Sequence, residues 1–401
     1  MPSVLIVRGH LANPWELRPW LELPDRYEVS YLLTGSNRFL APEQLRAVPT
    51  RALRDLLPHG RVGELSALVL GDRYLSAEEA FAQADIVHAA ELSFWFAADA
   101  ARRRRRHGFR LVQTVWETLP LLAAYRNRHA RRYRELVLAE TDLFLAATER
   151  AALALGLEGV SPERIALCPP GIDTARFAAP AASDTAAEGH SRGTLSEPRT
   201  HTIVSAGRLV WEKGHQDVLR ALALLHRGTV RTPAGETVRP RLLMIGSGPE
   251  EARLREYAAD LGLSEALEIR SVSYDEMPSV FAQASVLVLA SQGSASAQLH
   301  PFDIPRAFWE EQFGLVLAEA MAAGLAIIST TSGAIPEVLA GAPVELVAPG
   351  DWPAIARALA DGPLTRPPGE RVSYPPEIVT RYSTSAAAGR LTAVYDRLLA
   401  P

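Results

Sequence analysis

Thr202-Ile203-Val204-Ser205-Ala206-Gly207-Arg208-Leu209-Val210-Trp211-Glu212-Lys213-Gly214 carries a short apolar run, a glycine at its end, and two cations five positions apart. The run reads as a strand and the glycine as a tight turn. Two cations beside a turn at a strand's C-terminal end suit a phosphate group. Lys213 is also the only lysine among 42 Lys+Arg. A position needing positive charge alone would read Arg in such a chain. Lysine instead supplies a compact point charge on a flexible stem.

Outward from this stretch, apolar runs alternate with amphipathic helical stretches, the pattern of parallel sheets with crossover helices. Before it, strands are expected at residues 4–7, 29–33, 67–70, 86–88, 111–115, 143–146 and 165–168. From it onward they are expected at 202–206, 241–245, 267–271, 286–289, 326–329 and 344–347. The two series predict an α/β chain of two Rossmann-like doubly wound domains facing a cleft. The first domain is expected at residues 1–177 and the second at 201–382. Residues 178–200, rich in Ala, Ser, Thr and Gly, read as a mobile linker or surface excursion. Residues 228–240 read as a second polar excursion, and 383–401 as a final amphipathic helix packing back on the first domain.

Bulk composition agrees with a soluble two-domain protein. The chain has 401 residues, 48% hydrophobic and 22% charged, with a formal net charge of -4. That balance gives no general case for nucleic-acid binding. The single cysteine, Cys168, rules out an intrachain disulfide and a cysteine metal cluster. No apolar run reaches the roughly 18 to 20 residues needed to span a bilayer, and the first strand is too short for a signal peptide. The expected location is cytoplasmic, free or peripheral on the inner face of the membrane.

The second half holds two further features. Leu242-Leu243-Met244-Ile245-Gly246-Ser247-Gly248-Pro249-Glu250 is a strand running into a glycine turn. In Glu311-Gln312-Phe313-Gly314-Leu315-Val316-Leu317-Ala318-Glu319, seven residues separate the two carboxylates. Gly314 opens a helix, Glu319 lies about a turn and a half inside it, and Glu311 lies just before it. The free N–H groups near Gly314 and Leu315 favour an anion. Two carboxylates flanking a helix start, with Arg208 and Lys213 opposite, describe a site for a sugar-diphosphate-nucleoside.

These residues resemble the donor domain of GT-B fold glycosyltransferases, specifically the retaining enzymes of family 4. Gly207-Arg208-Leu209 with Lys213-Gly214 resembles the family's Gly-Arg-Leu…Lys-Gly loop, and Glu311 with Glu319 its Glu-x7-Glu motif. Pro170-Gly171-Ile172-Asp173 with Phe177, Gly246-Ser247-Gly248-Pro249 and Ser332-Gly333-Ala334-Ile335-Pro336-Glu337 are similar to three further family segments. The likeness is close over residues 165–350 and looser before them. It implies a retaining hexosyltransferase taking a UDP- or GDP-sugar to a lipid-linked, glycan or small-molecule acceptor. Arg208 and Lys213 would hold the diphosphate, Glu311 the transferred sugar and Glu319 the ribose. Gly207, Phe313, Gly314 and Leu315 would line the donor site, with Val272 at the base edge. Such an enzyme can offset leaving-group charge with fixed cations and N–H dipoles. With no Asp-x-Asp and no His/Asp cluster at metal spacing, the expectation is no bound cofactor or catalytic metal, the nucleotide-sugar being a substrate.

In the first half, Gly9 reads either as a donor-phosphate loop or as a strand-end turn. His88 reads either as a catalytic histidine or as a core one, since Ala90 stands where the family's His-x-His pattern has its second histidine. Glu91 and Glu117 stand at strand ends as candidates for orienting an acceptor hydroxyl. The arginines from Arg102 through Arg106, with Arg110, Arg126, Arg128, Arg131, Arg132 and Arg134, read either as a solvated face or as a patch for an anionic lipid surface. Three other functions stand beside the transferase. Gly246-Ser247-Gly248 begins like a dinucleotide fingerprint, as in a nucleotide-cofactor oxidoreductase, but Glu251 stands where a small residue should pack. Lys213 would be the Schiff-base residue of a pyridoxal-phosphate phosphorylase. A non-catalytic nucleotide-sugar-binding protein would share the donor residues.

Overall fold

The computed structural model describes residues 1–58, 60–122, 128–178, 200–293 and 309–400. Most of the expected linker, Arg126 and residues 294–308 lie outside them.

The chain divides into two compact units, Met1–Ile172 with Arg381–Pro401, and Asp173–Thr380. Residues 173–177, assigned above to the first domain, therefore belong to the second. The final helix, Thr384–Leu399, lies in the first unit, beside the 3-10 turn Arg18–Glu22.

The first unit is a parallel sheet of seven strands: β1 Ser3–Ile6, β2 Glu28–Thr34, β3 Arg46–Thr50, β4 Ile86–Ala90, β5 Arg110–Val115, β6 Leu143–Ala146 and β7 Ile165–Leu167. Their order is β3-β2-β1-β4-β5-β6-β7. Side chains alternate between its two faces. Leu5, Val7, Val87 and Ala89 join one core, while Val4, Ile6 and Ile86 join another with Trp20, Leu391 and Tyr395.

The second unit is a parallel sheet of six strands: β8 Thr202–Ala206, β9 Arg241–Ile245, β10 Leu267–Arg270, β11 Val286–Leu289, β12 Ala326–Thr330 and β13 Glu345–Val347. Their order is β10-β9-β8-β11-β12-β13. In each sheet the winding reverses beside the first strand, between β1 and β4 and between β8 and β11. Such switch points open crevices at the strands' C-terminal ends.

Two expectations are corrected. Residues 67–70 end the helix Arg61–Leu70 and are not a strand. A short apolar run has no periodicity that separates the two states. Strand β3 was not expected, because Pro49 interrupts it; it is an edge strand, where proline is tolerated.

Candidate functional site

The loop after β8 stays paired with the β9 side beyond both strands. The Gly207 N–H donates to Ile245 O and the Leu209 N–H to Ser247 O, each at 2.9 Å. This approach explains the glycine turn after β9. A Cβ on Gly246 would stand 1.9 Å from Gly207 O, and one on Gly248 2.3 Å from Leu209 O. Both glycines let two backbones touch, which accounts for the turn without a dinucleotide. Below the loop, the fully buried His215 donates from Nε2 to the Arg208 carbonyl at 3.1 Å, and its Nδ1 accepts from the Ser205 hydroxyl at 2.9 Å. Burial lowers its pKa to about 4, so the ring is neutral and holds this tautomer. The Arg208 side chain is exposed and has no hydrogen bond or ion pair to a described residue.

Gly214, at φ +71°, closes the loop onto β11, since a Cβ there would stand 1.8 Å from Ala290 O. This brings Lys213 to Glu311, 98 positions away: Nζ donates to Oε1 at 2.8 Å and to Oε2 at 2.6 Å. The Ser291 hydroxyl donates to Oε2 at 2.6 Å. The Lys213 ammonium also lies 5.4 Å from the Trp309 ring centroid, close enough for a cation–π contact. The Glu311 backbone is held as well. Its N–H donates to Ser332 Oγ at 3.1 Å, its carbonyl accepts from the Ala334 N–H at 2.9 Å, and Ser332 Oγ donates to Gln292 O.

Gly314, at φ +76°, precedes the helix Leu315–Ala322, whose first N–H groups have no side-chain cap. Phe313 is buried beside it, and Glu319 is buried within the helix. Burial pushes the Glu319 carboxyl up to about 7, against a hydrogen bond from Tyr274. Val272, after β10, is half-buried two residues before Tyr274. The Tyr274 ring packs edge-on against Phe177, in the turn Thr174–Phe177 that opens the second unit.

In the first unit the candidates do not form one such cluster. Gly9, at φ +59°, is buried, and a Cβ there would stand 2.5 Å from Phe96 Cδ1. Packing and the turn explain that glycine. His88 is fully buried and both ring nitrogens are engaged, with Tyr395 Oη at 2.6 Å and Thr114 Oγ1 at 2.7 Å. Tyr395 Oη in turn accepts from Trp20 Nε1 at 2.9 Å. Burial holds the His88 pKa well below its usual value. Its surroundings are those of the core histidine, the second of the two readings given above. Glu91 has a left-handed backbone, φ 63°, and its Oε1 accepts from the Trp116 N–H at 2.9 Å. Glu117 Oε1 accepts from the N–H groups of Thr118 and Leu119.

The arginine-rich stretch faces the protein's own carboxylates. Arg102 and Arg103 pair with Asp99, Arg103 and Arg106 with Glu78, Arg104 and Arg105 with Glu140, Arg104 and Arg110 with Asp142, and Arg134 with Glu158. These pairs answer much of the charge within the protein, while the Arg105 and Arg106 side chains stay 80% and 74% exposed. Among the described residues no helix is long and apolar enough to cross a membrane.

Sequence reasoning missed Ser291, Ser332, His215 and Tyr274. Ser332 heads the segment Ser332-Gly333-Ala334-Ile335-Pro336-Glu337 quoted above, which carried no role for its side chain. His215 follows Lys213-Gly214 directly. Nothing local marked Ser291 or Tyr274.

Residues 21–176 match the family model Glycosyltransferase Family 4, and residues 189–362 match Glycosyl transferases group 1. A D-inositol 3-phosphate glycosyltransferase of Pseudarthrobacter chlorophenolicus is 29% identical over 60% of this chain and 52% of its own length. A GDP-mannose-dependent alpha-(1-6)-phosphatidylinositol monomannoside mannosyltransferase of Mycolicibacterium smegmatis is 31% identical over 48% of this chain and 45% of its own. Each match thus spans about half of the relative's length. Among solved structures, Anabaena HepE in complex with UDP and glucose superposes with a TM-score of 0.69 at 15% identity, covering 99% of this chain and 100% of that one. The sucrose-phosphate synthase of Thermosynechococcus elongatus has the same TM-score at 19% identity, covering 99% of each chain.

Proposed function

Because the chain belongs to the GT-B glycosyltransferases of family 4, we propose that it moves a hexose from a UDP- or GDP-sugar to an acceptor hydroxyl with retention of configuration and without a protein-held metal. The observation that carries this reading is the Lys213–Glu311 pair at the end of β8. Glycosyl transfer leaves negative charge on the β-phosphate. Lys213 and Arg208 stand on one loop to offset it, and the uncapped N–H groups at Leu315 add their dipoles.

The diphosphate competes with Glu311 for the Lys213 ammonium. Once Lys213 turns to phosphate, the Glu311 carboxylate is free to take hydroxyls of the sugar. Glu319 then takes the ribose. Membership of the family supports retention. The names of the two relatives and the UDP held by HepE support uracil or guanine as the base, and an inositol-phosphate or lipid-linked glycan as the acceptor.

The test is thermal stabilisation across UDP, GDP, ADP and their sugars, followed by slow hydrolysis of the donor that binds. Ligand at about 100 times Kd raises stability by roughly 2.7 kcal/mol. A protein stabilised by NAD(P) and by none of these ligands refutes the proposal. A protein that binds donor and never turns it over is a sensor.

A further inference from the structure

We propose that Ser291 is a positioning residue for the carboxylate that receives the transferred sugar, an inference resting on the donor site proposed above. Its hydroxyl holds Glu311 Oε2 so that Oε1 is the oxygen released when Lys213 leaves for the diphosphate.

From the described residues the Glu311 carboxylate accepts three side-chain hydrogen bonds: two from Lys213 Nζ, one on each oxygen, and one from Ser291 Oγ on Oε2 alone. The two donors differ in kind. Lys213 is cationic, on a flexible stem, with 16% of its side chain exposed, and an incoming diphosphate draws it away. Ser291 is neutral, wholly buried and two residues beyond β11, without the charge by which a diphosphate draws Lys213. Its carbonyl accepts from Thr330 Oγ1 at 2.6 Å, which ties it to the neighbouring strand.

When Lys213 departs, Oε2 keeps its partner and Oε1 loses its own. Among the described residues Ser291 is then the remaining side-chain donor to this carboxylate. The backbone of Glu311 cannot compensate by moving. Ser332 and Ala334 hold its N–H and carbonyl, and a Cβ on Gly333 would already stand 2.1 Å from that carbonyl oxygen. The freedom left to Glu311 is rotation of its side chain, and the Ser291 hydroxyl removes it. An acceptor oxygen fixed before the sugar arrives costs no reorganisation during reaction.

The experiment compares two affinities in the full chain. Ser291→Ala should bind the nucleoside diphosphate within about twofold of wild type, because the phosphate and ribose contacts remain, yet bind the nucleotide-sugar about tenfold more weakly and turn it over about tenfold to a hundredfold more slowly. Ser291→Thr, which keeps the hydroxyl, should restore the difference between the two ligands. A folded Ser291→Ala protein in which both affinities fall together, or neither falls, overturns the inference. If Ser291→Ala does not fold, Ser332→Ala loosens the same carboxylate from the backbone side, and the same split is required of it. A wild-type protein that binds none of the nucleotide-sugars refutes the donor site itself, and this inference with it. That outcome is distinct from a binding wild type with an indifferent variant.

Discussion

Lys213 is where the chain's departure from arginine acquires a physical reason. A guanidinium fork would bind Glu311 bidentately and release it reluctantly, whereas an ammonium on a flexible stem can change partners. Lys213→Ala should lower turnover by about two to three orders of magnitude, as removal of a main leaving-group stabiliser does; near-normal turnover in the folded variant would remove the diphosphate role. The two carboxylates should separate in the same assay. Glu311→Gln should cut turnover more than nucleoside-diphosphate affinity, while Glu319→Gln should weaken that affinity about tenfold, as loss of a charged hydrogen-bond partner does. The opposite pattern in titration calorimetry would exchange their roles. Glu319 also has a cost in stability. Its folded-state pKa, about 7, lies above its ordinary 4.5. Between these values the folded protein keeps a proton that the unfolded chain releases, so stability falls as pH rises through that window, by roughly 3 kcal/mol in all. Glu319→Gln lacks this term. Its stability relative to wild type should climb from pH 5 to pH 8 in denaturant titrations, and a flat difference would mean that the carboxyl is not protonated there.

At the level of elements, the final helix Thr384–Leu399 is fastened to β4 and to the 3-10 turn Arg18–Glu22 through Tyr395. Its hydroxyl accepts from Trp20 and donates to the neutral His88, which in turn donates from Nε2 to Thr114. Tyr395→Phe leaves two buried groups without a partner and should destabilise the first unit by about 1–3 kcal/mol per group. Donor hydrolysis at a temperature where the variant stays folded should be unchanged. Lost hydrolysis there would restore a catalytic part to His88. Strand alternation places His88 on the same face as Ile86, which joins the core containing Tyr395. That much was legible in the sequence. That the final helix packs on the first unit was legible too, but not that it covers this face, because Tyr395 meets His88 from 307 positions away. The arginine run 102–106 is similar: its cationic character was plain and Asp99 answers it from the same helix, but Glu78, Glu140 and Asp142 come from other elements.

For the molecule as a whole, the buried histidines set the response to acid. Burial and the neighbouring Arg54 and Arg38 lower His10 to about 3, burial lowers His215 to about 4, and His88 is lowered as well. Each folded-state pKa lies below the unfolded value of 6.5. Their stabilising contribution is therefore present above pH 6.5 and lost as pH falls, at about 1.4 kcal/mol per pH unit each. The first unit holds two of them, His10 and His88. The second holds His215 and the half-buried His201, lowered by burial as well, and there the raised carboxyls of Glu319 and Asp217 act in the opposite direction. Between pH 6.5 and 4.5 the first unit should lose stability more steeply. Calorimetry should show its transition moving down in temperature ahead of the other, with Tyr395→Phe identifying which is which. Parallel movement of both transitions would contradict the assignment.

The sequence by itself determined the two parallel sheets, because strand and crossover-helix periodicities are local and repeat through the chain. It also supplied Arg208, Lys213, Glu311 and Glu319, because a strand end and a helix start carry their chemistry within a few residues. Local pattern did not decide residues 67–70, where an apolar run fits helix and strand alike, or β3, where Pro49 hid an edge strand. Only the tertiary structure decided that Lys213 meets Glu311, that Ser291 shares the carboxylate, and that His88 faces Tyr395 and not solvent. Those contacts depend on which strands become neighbours: β11 must lie between β8 and β12 before residues beyond the ends of all three can meet at Glu311.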